Sequence, residues 1–325
     1  MSVHLMDVAE ERRLLSPATS DDELSRAVLA IDFGPASLGA ARWATTHVVR
    51  AANAVLAHVV PCVDGLAGGG ATSIAERASI HRMTPALVGG LGGFAATLDV
   101  AAHRSVVRVG PPSRCLAAVT NDTGADLLVL GRRGDANRTR VGEPNVIERT
   151  ARRTTSSVLV VPEGTNSAPE HIVVAVDESD FAPHALRAAS RLARMHEIPL
   201  TVLHVLPPVG AYERVIRPTK HAATATRGRK EKAPQQMAVP PSLASSTARW
   251  LVTLGRTHHV AGRDATEVAI GDPAREIVRT AMERGPSLVV VGMRGADDAP
   301  FGSVGSVARE LLTRGPIPVL AVNET

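Results

Sequence analysis

At 325 residues the chain is long enough for two domains of ordinary size, and with 44% hydrophobic but only 2% aromatic residues its core must be built from Ala, Val and Leu rather than rings. The net charge of +4 is local: seven basic residues against two acids fall within 207–241, between Glu213 and Lys232, and the remainder is close to neutral. That segment holds a single aromatic, Tyr212, so a basic stripe with stacking rings is not expected and nucleic acid is disfavoured as a partner.

In chain order, residues 1–25 read as an N-terminal extension with Asp7, Glu10, Glu11, Asp21, Asp22 and Glu23. They lack the basic-then-apolar order of a secretory signal, and no apolar run reaches the ~18 residues of a membrane span. A cytoplasmic protein without membrane contact is the expectation. Arg26 opens a short apolar strand that ends in Ile31-Asp32. The spacing then predicts a helix over 37–53, a strand over 55–60, a glycine-rich connection over 65–70 and a helix over 85–100. A strand over 106–109, a helix to about 123, a strand over 127–130 with Gly131 and Gly134 behind it, a helix over 146–153 and a strand over 157–161 complete the first series.

From Glu170 the order repeats. A strand over 172–176 ends in Asp177. A helix over 183–195 follows, with Ala182, Ala185, Leu186, Ala189, Leu192 and Ala193 on one face. Strands over 200–206 and 264–270 flank the basic insertion and a helix over 242–256. A helix over 277–284 leads to the strand 288–291. Strand–helix alternation with short connections means a parallel sheet covered on both faces, and a repeat of this length means two copies of one domain. The fold expected is α/β: two tandem copies of a Rossmann-like open parallel five-stranded sheet, over 26–163 and 170–325, joined by a loop-like linker at 164–169.

The most informative stretch is 287–322. Gly292 and Gly295 follow a β-branched strand, and nine residues later Gly305-Ser306 opens a helical pattern that Gly315, Pro316 and Pro318 end before a last strand. A strand, a glycine turn and a helix start carrying Gly-Ser is an arrangement that holds a phosphate, because unpaired amides and the helix dipole both face the anion. The spacing Gly-x2-Gly-x9-Gly-Ser resembles the nucleotide signature of the universal stress protein family. The closing 316–320 segment (Pro-x-Pro-Val-Leu) and the Gly271-Asp-Pro273 segment are similar to that family as well, and the resemblance covers nearly the whole chain. It implies ATP as the ligand, a role as a nucleotide-dependent stress sensor or docking module for an unknown protein partner, and a fused pair of domains that resembles a dimer, with homodimerisation of the chain left open.

At the carboxyl ends of the strands, Asp177 is placed to accept from an adenine amino group or bind a ribose hydroxyl; in the family the matching acid lies beside the adenine. The alternative is that Asp177 or Ser179 caps the following helix. Ala175, Val176 and Val205 would wall the base, and Val291, Gly292, Gly295, Gly305, Ser306 and Val307 would form the phosphate end. Asp297 and Asp298 admit Mg2+, held mainly by phosphates and water; Arg294 could offset phosphate charge. In the first copy Pro144 and Asn145 stand where Gly-Ser is expected, so its loop is read as degenerate, with Arg132, Arg133, Arg138 and Arg140 as alternative anion ligands. Cys62 and Cys115, and the adjacent His258 and His259, have neither disulfide nor metal spacing. No Walker loop, Gly-x-Ser-x-Gly elbow or general base stands out, so catalysis is not expected beyond slow ATP hydrolysis. The rivals are an ATP-dependent enzyme on the same fold and a nucleic-acid or acidic-partner binder acting through 207–241.

Overall fold

The computed structural model describes residues 24–323 except 25, 50–52, 62–73, 99, 101, 134–144, 180, 207–246, 248, 252, 255–264 and 295–302. Seventeen elements run along these residues. The first copy contributes β1 (Arg26–Ala30), α1 (Pro35–His47), β2 (Asn53–Val60), α2 (Ile74–Ala95), β3 (Ala102–Val109), α3 (Pro112–Asp122), β4 (Leu127–Arg132), α4 (Val146–Ala151) and β5 (Ser157–Pro162). The second contributes β6 (His171–Ala175), α5 (Ala182–His196), β7 (Leu200–Leu206), β8 (Ala265–Ile270), α6 (Pro273–Glu283), β9 (Ser287–Gly292), α7 (Ser306–Arg314) and β10 (Val319–Val322). The described residues of the predicted 242–256 helix are helical, and Leu251 is fully buried.

Each copy is an open parallel sheet, in the orders β3-β2-β1-β4-β5 and β10-β9-β6-β7-β8. The two join edge to edge into one ten-stranded sheet, because β5 pairs antiparallel with β10 through Val158, Leu159 and Val160 against Ala321, Leu320 and Val319. The central strands are uninterrupted apolar runs, as burial on both faces demands; Leu288 to Val291 are each at most 3% exposed. Helices cover both faces, with α1, α2 and α5 on one and α3, α4, α6 and α7 on the other, and each core layer runs through both copies. Small residues let the helices lie close: Ala36, Ala40, Ala41 and Ala44 on α1, and Ala182, Ala185, Ala188, Ala189 and Ala193 on α5.

Several boundaries differ from the sequence reading; helix α6, for one, begins at Pro273 rather than at 277. Helix α2 begins at Ile74, with Pro85 inside it rather than at its start. Pro85 is solvent-exposed, so the carbonyl it leaves unpaired can bond water. Strand β3 begins at Ala102 and not at 106, since its polar start, His103 to Ser105, pairs in register with Ala54 to Leu56. Helix α1 stops at His47, where Val48 turns inward and is buried. The glycine-rich connection and the basic insertion lie outside the described residues.

Candidate cleft at the strand ends of the second copy

In each copy the chain leaves the first strand to one side and returns to the other, so a crevice opens over the carboxyl ends of β6 and β9, between which the strand order reverses. A cleft of about 360 Å³ lies there, within the roughly 300–1,000 Å³ range of small-molecule pockets. Nine of the ten sequence candidates line it. Ala175, Val176 and Asp177 come from the end of β6, Val205 from β7, and Val291 and Gly292 from β9. Gly305, Ser306 and Val307 form the start of α7. The tenth, Gly295, and the acids Asp297 and Asp298 fall outside the described residues.

Asp177 does not cap α5. Its Oδ1 accepts from the Ser179 amide at 3.1 Å and from the Ser179 hydroxyl, a local turn, while the residue at the N-cap of α5 is Phe181. The close neighbour that Gly292 makes room for is the protein itself. A Cβ there would stand 2.9 Å from Phe181 Cβ and 3.0 Å from the Arg294 carbonyl oxygen, so only glycine lets the entry to α5 pass over β9. Arg294 in turn lies over the Phe181 ring at 5.5 Å and lines the cleft.

At the other end, Gly305 donates its amide to the Met293 carbonyl at 2.9 Å and accepts from the Arg309 amide at 2.9 Å. The Gly305 amide is therefore engaged within the protein. The amides of Ser306, Val307 and Ala308 are the first of the helix and have no carbonyl one turn earlier to meet. Among the described residues Gly305 provides no side-chain cap, and the first turn carries no acid. The end of α7 is thus electropositive and faces the cleft. Opposite it, α6 supplies Pro273 and Ile277, and Asp272 caps that helix by accepting from the Arg275 amide at 3.1 Å.

Sequence reasoning missed His204. Its Nδ1 lies 2.8 Å from the Val176 carbonyl oxygen, so the hydrogen sits on Nδ1, and its ring meets Trp250 edge-on at 5.5 Å. The repeat held the signal: His58 bonds the Ile31 carbonyl in the same way at 2.7 Å. Ala182, Val304 and Ala308 were also missed, being ordinary apolar residues brought there by their helix starts.

The first copy uses the same positions differently. Asp32 accepts from the Gly34 amide at 2.9 Å and the Ser37 hydroxyl at 2.6 Å, and it pairs with Arg133 at 2.5 Å. Burial pushes its carboxyl up, but the Ser37 hydroxyl, the Gly34 amide and the Arg133 charge outweigh it and hold the group below its ordinary value. Asn145 caps α4 with its own side chain, Oδ1 accepting from the Glu148 amide at 2.8 Å. The counterpart of the α7 amides that no described residue caps is thus closed by the protein. Arg132 and Arg133, considered above as anion ligands, are both engaged: Arg133 with Asp32, Arg132 with the Gly315 carbonyl. Arg138 and Arg140 lie outside the described residues. Among the described residues no group of three His, Cys, Asp or Glu side chains could hold a metal ion, and no helix is long and apolar enough to cross a membrane.

The model of the universal stress protein family matches the chain twice, over 23–162 and 169–323. Universal stress protein YxiE of Bacillus subtilis (strain 168) is 28% identical over 155 residues, which span 46% of this chain and 97% of that protein. Among solved structures, a universal stress protein from Archaeoglobus fulgidus DSM 4304 aligns with 93% of this chain and 100% of its own, at 14% identity and a TM-score of 0.63. One described as putative from Pseudomonas aeruginosa UCBPP-PA14 aligns with 94% of this chain and 95% of its own, at 11% identity and a TM-score of 0.61.

Proposed function

The chain belongs to the universal stress protein family, and from that premise we propose that its second copy binds ATP and serves as a nucleotide-dependent sensor or docking module in a stress response. The observation that carries this reading is the cleft itself. At one end the uncapped start of α7 offers amides and a serine hydroxyl to an anion. At the other, an acid and an apolar wall of Ala175, Val176 and Val205 suit a base and ribose. Mg2+ would enter with the phosphates and be held mainly by them and by water, since the described part of the cleft has no carboxylate cluster of its own. Fast turnover is not part of this reading, which needs only binding.

The test is calorimetry on nucleotide-free protein, with Gly305→Glu as the control. One ATP per chain is expected, and the added side chain and negative charge at the start of α7 should abolish it. Two equivalent sites, or full binding by Gly305→Glu, would place the ligand elsewhere; rapid ATP turnover without a partner would favour the enzyme reading instead.

A further inference from the structure

We propose that Arg132 of the first copy is a positioning residue for the phosphate end of the second copy's cleft, so that the two copies make one binding unit. The proposal rests on the nucleotide reading above. Arg132 ends β4, in the first copy, yet its guanidinium donates to the carbonyl oxygen of Gly315, the C-cap of α7. The last turn of α7 is closed tightly at that point. Gly315 donates its amide to Leu311 O at 2.8 Å, and a Cβ on Gly315 would lie 2.6 Å from that same oxygen. The Arg132 Nε is buried and has no hydrogen-bond partner among the described residues. A half-buried cation held by one carbonyl is a costly arrangement, and a structural filler would be expected to be apolar. The residue in the same register of the second copy is apolar: Met293, 1% exposed, follows Gly292 as Arg132 follows Gly131. The cation is therefore supplied in one direction only, from the first copy to the helix that lines the cleft.

A second tie runs the same way. Glu148, in the first turn of α4, lies 4.0 Å from Arg309 of α7. Helix α7 has nine residues, so its two ends are only about 13 Å apart. A cation at its carbonyl end favours the alignment of peptide dipoles that leaves its amide end electropositive. Fixing the carbonyl end also holds the amides of Ser306, Val307 and Ala308 in place before a ligand arrives, which lowers the ordering cost of binding.

The experiment compares ATP with adenosine, which lacks the phosphates, on the full chain carrying Arg132→Met. ATP affinity should fall about two- to fivefold, adenosine affinity should not change, and Arg132→Lys should restore most of the ATP loss. Arg132→Gln, which keeps a donor for Gly315 without the charge, replaces the Met variant if that does not fold. An unchanged ATP affinity, or an equal loss for both ligands, overturns the proposal. If the unmodified chain binds neither ligand, the nucleotide reading fails, and the clamp is judged by hydrogen exchange: faster exchange over 309–315 in Arg132→Met supports it, unchanged exchange refutes it.

Discussion

Asp177 and Asp32 end corresponding strands: Asp32 is paired with Arg133, and Asp177, in a local turn with Ser179, stands at the rim of the cleft. Asp177→Ala is therefore expected to weaken ATP binding roughly five- to tenfold, the equivalent of about one hydrogen bond to a ligand, with the thermal midpoint nearly unchanged. A lowered midpoint with unchanged affinity would assign Asp177 to the turn alone. A second residue-scale expectation concerns His47, whose carbonyl accepts from His196 Nε2 at 2.6 Å across the two copies. Burial, and then the neighbouring His196, push the His47 imidazole below its ordinary value of 6.5. The unfolded chain thus takes up this proton first. The stabilisation is complete above about pH 6.5 and is lost as the pH falls through that value toward the folded one. Thermal midpoints should fall between pH 7.5 and 5.5, and His47→Asn should flatten that slope.

At the scale of elements, the strands were legible where burial on both faces forces an unbroken apolar run, as in β5, β6, β9 and β10. Strand β3 was half legible, because an edge strand tolerates the polar His103, Arg104 and Ser105. The phosphate end was legible because glycines and a serine at fixed spacing leave a mark in the sequence. His204 left a mark only through its counterpart His58, since what sets it is the Val176 carbonyl on a neighbouring strand. Arg132 could not be read either, because its partner Gly315 belongs to the other copy. The basic segment between β7 and β8 interrupts the second copy without a sustained apolar period. Joining the flanks by a shorter loop carries little entropic penalty, so deletion of 210–239 is expected to leave the unfolding midpoint and its cooperativity unchanged; a large fall would mean that core was removed.

On the scale of the whole molecule, both core layers and the sheet cross from one copy to the other. The junction is reinforced from several elements. Trp43 donates to the Ser167 carbonyl at 2.8 Å, and Asn323 bonds Thr155 at 2.9 Å and the Ser157 hydroxyl at 3.2 Å. Unfolding is expected to be a single transition, with Trp43 fluorescence and far-ultraviolet dichroism changing together; two separated transitions would show that the copies unfold independently. The tandem organisation was legible from the repeat, but the antiparallel meeting of β5 and β10 was not, since nothing in either strand's own residues names its outer neighbour.

That meeting has a consequence for how the chain is made. Synthesis delivers β5 before any of the second copy and β10 only at that copy's end, so on the ribosome the first copy must wait through nearly the entire second copy with the edge at Val158–Val160 exposed. On a polysome the neighbouring nascent chain carries the same edge and, later, the same closing strand. A β10 that closes on the wrong chain builds a swapped pair with every native contact satisfied.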